Sequence, residues 1–272
     1  MSEKNLSGIL LISDLDGTLL NSQHLISARN RSALKRFVAQ GGAFTVATGR
    51  MEISVERYIP QLPLNIPAIL YNGAMIYDFQ TREALWMATL PRQIEGIIQS
   101  LVENFPGLGI EIYANSQIYL WAENALTKKH LRRENIPFKH PFSLKDIPEP
   151  WQKVLLAWEP KKLEAPETYL LALKQPLDLM RSEAFFLEIL PQNINKGSAL
   201  ERLIHYTGLD MTKVVALGDN PNDREMLQIA AVGIAVANAH PSLKGSATFS
   251  TCGHDNHAIA GVIDWIETNM AQ

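Results

Sequence analysis

The stretch "GILLISDLDGTLLNS", residues 8–22, decides how the chain is read. An apolar run meets Asp14 and Asp16, one residue apart, and then Gly17 and Thr18. The short apolar run bounded by turn residues reads as a buried strand. Two carboxylates held close together repel one another unless a cation or a proton lies between them. Asp and Gly are also ordinary turn residues, so the pair alone leaves a plain strand-to-turn junction open.

On either side of this stretch the chain alternates strand and helix patterns. "SARNRSALKRFVAQGG" reads as a helix with Ser27 as N-cap, Leu34, Phe37 and Val38 on one face, and Gly41 or Gly42 as its stop. "AFTVAT" is the next strand, "MEISVERYIPQL" the next helix and "AILYNG" a third strand, followed by a hairpin across "AMIYDFQTREALWMATL". The middle differs, with paired strands ("IEIYAN", "QIYLWAE") among helices and a proline-rich stretch from Pro137 to Pro150. "NKGSALERLIHYTG", "KVVALG", "NDREMLQIAAV", "GIAVA" and "HAIAGVIDWIETNM" then restore the alternation. Alternating strands and helices imply a mostly parallel, Rossmann-like α/β sheet, into which the middle inserts as an α/β (α+β) unit. The expected division is a core of 1–86 and 190–272 with an inserted domain of 87–189, and the hinges fall near Leu85 to Pro91 and Leu187 to Pro191.

Composition bounds the function. With 272 residues, 46% hydrophobic and 19% charged, the chain buries a sizeable core in one large or two ordinary domains. A net charge of −3 and the lack of any Lys/Arg run argue against nucleic-acid and anionic-membrane partners. Cys252 is the only cysteine, so no intrachain disulfide forms. The start, "MSEKNLSG", is polar, and no apolar stretch reaches spanning length, which leads us to expect a cytoplasmic protein.

Four apolar runs end on a polar group: "ILLIS" on Asp14, "AFTVA" on Thr48, "AILY" on Asn72, and "VVAL" on Gly218 and Asp219. In an open parallel sheet the ligand crevice lies outside the carboxyl ends of the strands, so these groups should converge. Asp14, Asp16 and Asp219 form an all-oxygen set that suits a hard cation such as Mg²⁺. Thr48 and the backbone of Gly49, at a helix start, make a candidate phosphate cradle. Lys196 precedes a helix and has the charge to neutralise phosphate, although alone it reads equally as a surface lysine. "NKGS" is not a P-loop, because the preceding glycine pattern is missing.

"DLDGT" (14–18), "ATGR" (47–50), Lys196 in "NINKGSAL" and "GDNPND" (218–223) resemble the four ordered motifs of the haloacid dehalogenase superfamily. "NGA" (72–74), "REML" (224–227) and "NAHPSLK" (238–244) are similar to its Cof-type sugar-phosphatase branch. The resemblance implies that Asp14 is the nucleophile, forming an aspartyl-phosphate, and that Asp16 is general acid and then general base. It implies Mg²⁺ held by the Asp14 carboxylate, the Asp16 main-chain carbonyl and Asp219. Thr48, Gly49 and Asn222 then serve the phosphate, Lys196 neutralises nucleophile and phosphate, and Asp223 orients Lys196 or a metal-bound water. Arg50, to which the residues assign no chemical role, is left either to reach substrate or to pair with an acid, and Asn72 is left as a possible substrate contact. The insertion is implied to be a cap that closes over the crevice and selects the substrate, with Tyr113, Tyr119 and Trp121 available either to stack on a sugar or to pack within it.

One stretch departs from the branch. His254, Asp255, Asn256 and His257 stand where an Asn–Glu–Asp–Gly run is common, and they read as a polar rim loop or, less simply, as a second metal site. The function expected is a Mg²⁺-dependent phosphatase of small phosphorylated metabolites, above all sugar phosphates. The alternatives are a phosphomutase or phosphotransferase using the same Asp pair, and a catalytically silent phosphometabolite-binding regulator.

Overall fold

A computed structural model describes residues 5–271 of the chain; the polar start read at residues 1–4 lies outside the described residues. It divides into two compact units, one of Met1–Arg50, Val55–Trp86 and Asn195–Gln272, the other of Met51–Ser54 and Met87–Ile194.

The first unit is built on a five-stranded parallel sheet in the order Phe249–Ser250, Val232–Ala235, Val214–Gly218, Leu10–Ser13, Ala43–Val46. Leu10–Ser13 is an interior strand, with Leu10 registered against both Val214 and Ala43. Every residue of it and of its two neighbours is buried, which is why "LLIS", "AFTV" and "VVALG" are apolar runs without alternation. Leu10 and Ile12 are wholly buried, each stabilising the fold by about 1.5–3 kcal/mol. One helix, Ala28–Ala39, starts at the Ser27 cap, whose side chain accepts from Asn30 N–H, and its chain leaves through Gly41 at φ +93°. Leu34 and Phe37 face the core as expected, while Val38 is half-buried. The buried Asn30 side chain accepts from the Ala260 N–H at 3.1 Å, tying this helix to the Ala258–Asn269 helix.

Two expected elements are shorter than their patterns. "MEISVERYIPQL" gives only Glu52–Glu56 as α-helix and then a 3₁₀ turn at Ile59–Gln61, because Pro60 has no N–H to continue the helix. "AILYNG" gives the strand Ala68–Leu70, which pairs antiparallel with Met75–Asp78 and heads a three-stranded sheet ending at Glu83–Met87. Its link to the parallel sheet is the single bridge Ala47–Ile69.

The second unit is a six-stranded sheet in the order Leu177–Glu183, Phe186–Pro191, Trp151–Ala157, Gly109–Ala114, Gln117–Ala122, Phe138–Lys139. All its pairings are antiparallel except the last. Alternation sorts its two faces. Ile110, Ile112, Val154, Leu156, Leu187 and Ile189 join the apolar cluster that also holds Ile98 and Leu101 of the Ile94–Asn104 helix and Leu170 of the Glu164–Ala172 helix. The intervening Glu111, Tyr113, Lys153 and Glu188 are buried as ion pairs and hydrogen bonds instead, with Lys153 Nζ 3.2 Å from Glu188 Oε1 and Glu111 2.9 Å from His130 Nδ1. The hairpin Leu177–Glu183/Phe186–Pro191 was not legible in the sequence. The expected junction at Leu187 to Pro191 therefore falls inside a strand, and this unit runs on to Ile194. Tyr113 and Tyr119 are buried and Trp121 packs on the apolar cluster, so all three serve packing within the unit. Burial, then the neighbouring Glu111, pushes the Tyr113 phenol well above its usual range, and its hydroxyl donates to Glu111 Oε2 at 2.9 Å.

Candidate active site

The end of the Leu10–Ser13 strand is shaped by one tight turn. Leu19 and Leu20 N–H both return to the Leu15 carbonyl, and Gly17 takes φ +78°. A side chain is excluded at Gly17 twice, by that φ and because a Cβ would lie 2.4 Å from Asp219 Oδ2. The turn thus lets the Asp219 carboxylate approach the backbone beneath Asp14 and Asp16. Thr18 Oγ1 donates to Asp219 Oδ1 at 3.2 Å, and Asn220 Nδ2 donates to its Oδ2 at 3.0 Å.

Lys196 is a wholly buried lysine, not a surface one. It opens the Lys196–Thr207 helix behind the capping box of Asn195 and Ser198, and its Nζ donates to Asp14 Oδ1 and Asp223 Oδ1, both at 2.6 Å. Asp223 has its other oxygen, Oδ2, accepting the backbone N–H groups of Asp219 (2.9 Å) and Asn220 (3.1 Å). Both of its oxygens have protein donors, and Oδ1 is in contact with Lys196.

The electrostatics follow from burial. Removal from water pushes the Asp14 carboxyl well above its usual range; Lys196 pulls it down, while Asp223, Asp219 and Asp16 push it further up. Burial and then Asp223 raise Asp219 to about 7. Burial opposes the charge on Lys196, but Asp14 and Asp223 together outweigh it and hold the ammonium form. One lysine therefore faces three buried carboxylates, Asp14, Asp219 and Asp223, whose ligand atoms lie within 4.8 Å of one another. An all-oxygen pocket short of positive charge fits a hard divalent cation, with Asp14 and Asp219 as the carboxylates less committed to protein partners.

Asp16 stands apart from this cluster. Its two oxygens accept the fork of the buried Arg50, Nε to Oδ2 at 2.6 Å and Nη2 to Oδ1 at 2.9 Å. His24 Nδ1 lies 3.6 Å from Oδ1. Arg50 thus has the acid as its partner, the alternative to substrate contact that its sequence position left open.

Thr48, Gly49, Asn72 and Asn222 come together on the other side. Thr48 N–H is spent on the Ile69 carbonyl (2.9 Å), and its hydroxyl accepts from Arg50 N–H (3.2 Å). The helix expected to start here is only Glu52–Glu56, too short to lend the cradle much of a helix dipole. Asn72 is wholly buried; its Oδ1 accepts from Asn222 Nδ2 at 2.9 Å, and Asn222 Oδ1 is a buried acceptor without a hydrogen-bond partner.

The His254–His257 loop is a clip. Ser22 N–H and Oγ donate to Asp255, the N–H at 2.8 Å, while His254 N–H donates to Asn238 Oδ1 and Asn238 Nδ2 to the Gly17 carbonyl. His257 Nδ1 meets Ser27 Oγ at 2.9 Å. Among the described residues, the acids and histidines placed to share an ion are Asp14, Asp219 and Asp223, and those of this loop are engaged in the clip. Thr18 and Asn238, which brace Asp219 and the Gly17 turn, were not named as site residues from the sequence; "DGT" held the signal for Thr18 and "NAHPSLK" that for Asn238.

A buried acid–lysine–acid chain stands at the carboxyl end of a parallel sheet, an arrangement chemically suited to handling an anionic group. Comparison with known proteins gives the family: the sequence model of the haloacid dehalogenase-like hydrolases matches residues 11–263, and the chain belongs to that family. It is 33% identical over 280 residues to the 5-amino-6-(5-phospho-D-ribitylamino)uracil phosphatase YwtE of Bacillus subtilis, covering 92% of this chain and 95% of the relative. It is 30% identical over 241 residues to the HMP-PP phosphatase of Serratia proteamaculans, covering 85% and 84%. A haloacid dehalogenase-like hydrolase from Bacteroides thetaiotaomicron superposes with a TM-score of 0.86 at 30% identity, over 95% of this chain and 99% of that one. The chain is thus a phosphatase of the superfamily, a hydrolase of phosphate esters. Among the described residues no helix is long and apolar enough to cross a membrane.

Proposed function

We propose that the protein is a Mg²⁺-dependent phosphatase of small phosphorylated metabolites, with sugar phosphates as the leading class, acting through an aspartyl-phosphate. The carrying observation is the buried Lys196 ammonium held between Asp14 and Asp223. It fixes the Asp14 carboxylate by Oδ1 and leaves Oδ2 as the attacking oxygen. Attack forms the Asp14–phosphorus bond and breaks the ester P–O bond, and the departing alkoxide takes a proton from Asp16. Water then attacks phosphorus, Asp16 takes its proton, and the Asp14–phosphorus bond breaks to give inorganic phosphate. Splitting one displacement into two lowers the barrier of each. The fork of Arg50 favours the ionised carboxylate that the second step needs, and it must loosen for Asp16 to donate in the first.

The Asp14 carboxylate, Asp219 and the Asp16 main-chain carbonyl would hold Mg²⁺, which would supply positive charge to screen an anionic nucleophile from an anionic ester. Thr48, Gly49 and Asn222 hold phosphoryl oxygens. The named relatives act on phosphorylated small molecules, which supports the substrate class.

The test is phosphate release from a panel of sugar phosphates and an aryl phosphate, with Mg²⁺ or with chelator, for wild type and Asp14→Ala. Release that needs Mg²⁺ and vanishes in the variant is expected. Isomerised sugar phosphate with little free phosphate would move the protein to the phosphotransferases. Tight ligand binding without turnover would make it a silent binding protein.

A further inference from the structure

We propose that Asn72 is a positioning residue, the centre of a left-handed bracket that locks the phosphate-holding segment to the Lys196 helix and the Asn222 loop. This rests on the reading that Thr48 and Gly49 hold phosphate.

The bracket starts from an unusual backbone. Tyr71, Asn72 and Gly73 all have positive φ, at 51°, 55° and 107°. A single left-handed residue is common in turns; consecutive non-glycine residues there persist only where the surroundings enforce them. Here three segments do so. Tyr71 N–H donates to the Arg50 carbonyl at 3.1 Å and Asn72 N–H to the Thr48 carbonyl at 3.0 Å, so the turn is laced to both ends of the Thr48–Arg50 stretch. Gly73 meets the start of the lysine helix so closely that a Cβ would lie 2.3 Å from the Asn195 carbonyl oxygen and 3.2 Å from Lys196 N. Asn195 is the N-cap of that helix.

The third segment is reached by the side chain. Asn72 Oδ1 accepts from Asn222 Nδ2, and the same amide lies against Gly49, where a Cβ would stand 2.8 Å from Nδ2 and 3.1 Å from Oδ1. One buried amide therefore fixes the distance between Gly49 and Asn222, while its backbone fixes both to the helix that carries Lys196. Asn is suited to the place twice: it tolerates the left-handed region better than other L residues, and its amide reaches both neighbours. Like Lys196, it is wholly buried.

Asn72→Gly keeps the backbone conformation and removes the amide. We would measure inorganic phosphate binding by calorimetry in Mg²⁺, then kcat and KM across the substrate panel. Phosphate affinity is expected to fall about tenfold for the lost hydrogen bond and packing. The kcat should fall about 10- to 100-fold through misplacement of the site, by the same factor for every substrate. Gly49→Ala tests the contact from the other side. It should weaken phosphate binding strongly in wild type and much less in the Asn72→Gly background, where the added methyl has room. Unchanged phosphate affinity in Asn72→Gly, a reordered substrate ranking, or effects of the two variants that simply multiply would overturn the bracket. The calorimetric arm separates this from the wider reading: a wild type that binds phosphate but turns nothing over would sink the phosphatase proposal and leave Asn72 to be judged on affinity alone.

Discussion

Arg50 grips Asp16 by both carboxylate oxygens, at 2.6 and 2.9 Å, while its own guanidinium is buried and the acid is partly exposed. Such a fork is geometrically selective, and a lysine does not reproduce it. If Asp16 protonates the leaving group, Arg50 governs where that carboxyl sits. Arg50→Lys and Arg50→Ala are expected to lower kcat on alkyl phosphates about 100-fold, in the range of a misplaced general acid. Aryl phosphates depart without protonation, so their rates should fall much less. Parallel rate measurements on an alkyl and an aryl ester check this, and equal losses on both would remove Asp16 from the leaving-group step.

Asp14 is held in a site that disfavours its charge, since burial and three neighbouring acids all push its carboxyl up. Asp14→Asn removes that charge yet leaves an oxygen to accept from Lys196, which keeps Asp223 as its charged partner. The variant should lose turnover completely while its stability without metal stays level or rises by up to about 2 kcal/mol. Thermal or denaturant unfolding in chelator, beside an activity assay, gives both readings. A marked loss of stability would mean that the Asp14–Lys196 pair holds the fold rather than the chemistry.

Burial and Asp223 raise Asp219 from its ordinary 3.8 to about 7. Between those values the folded form keeps a proton that the unfolded chain has lost, so stability falls as pH rises through this window and levels off above it. A divalent cation at the same carboxylate competes with the proton. Mg²⁺ should therefore raise the melting temperature more at pH 8 than at pH 5, and the metal-free protein should melt lower at pH 8. Asp219→Asn should flatten both trends. An Mg²⁺ increment independent of pH would take Asp219 out of the metal site.

Most of the first unit was legible because buried parallel strands write themselves as apolar runs, and the polar group that ends each run marks the crevice. Asp14, Thr48, Asn72 and Asp219 could be found that way. Partnerships could not. Nothing in "ATGR" says that Arg50 turns back to Asp16, because the pairing joins residues from two strand ends whose separation only the register fixes. The Leu177–Glu183 strand was missed because "LDLMRSE" lacks β-branched residues and carries charge on a half-buried edge. Lys196 looked like a surface residue because burial of a lysine depends on acids distant in sequence.

Gly17 supplies the last prediction. Its φ of +78° and the 2.4 Å that a Cβ would leave to Asp219 Oδ2 make two separate demands on the residue. Gly17→Ala meets the first at a cost of about 1–2 kcal/mol for the left-handed conformation. The second displaces the Asp219 carboxylate, so Mg²⁺ affinity should fall by tenfold or more, beyond what the loss of stability explains. Thr18→Val is the control: it removes the hydroxyl that donates to Asp219 Oδ1 without crowding the site, and should weaken Mg²⁺ binding only a few-fold. Calorimetric Mg²⁺ titrations with unfolding curves in chelator separate the two effects. If Gly17→Ala is destabilised yet binds Mg²⁺ as wild type does, the glycine serves the turn alone and Asp219 has room to move.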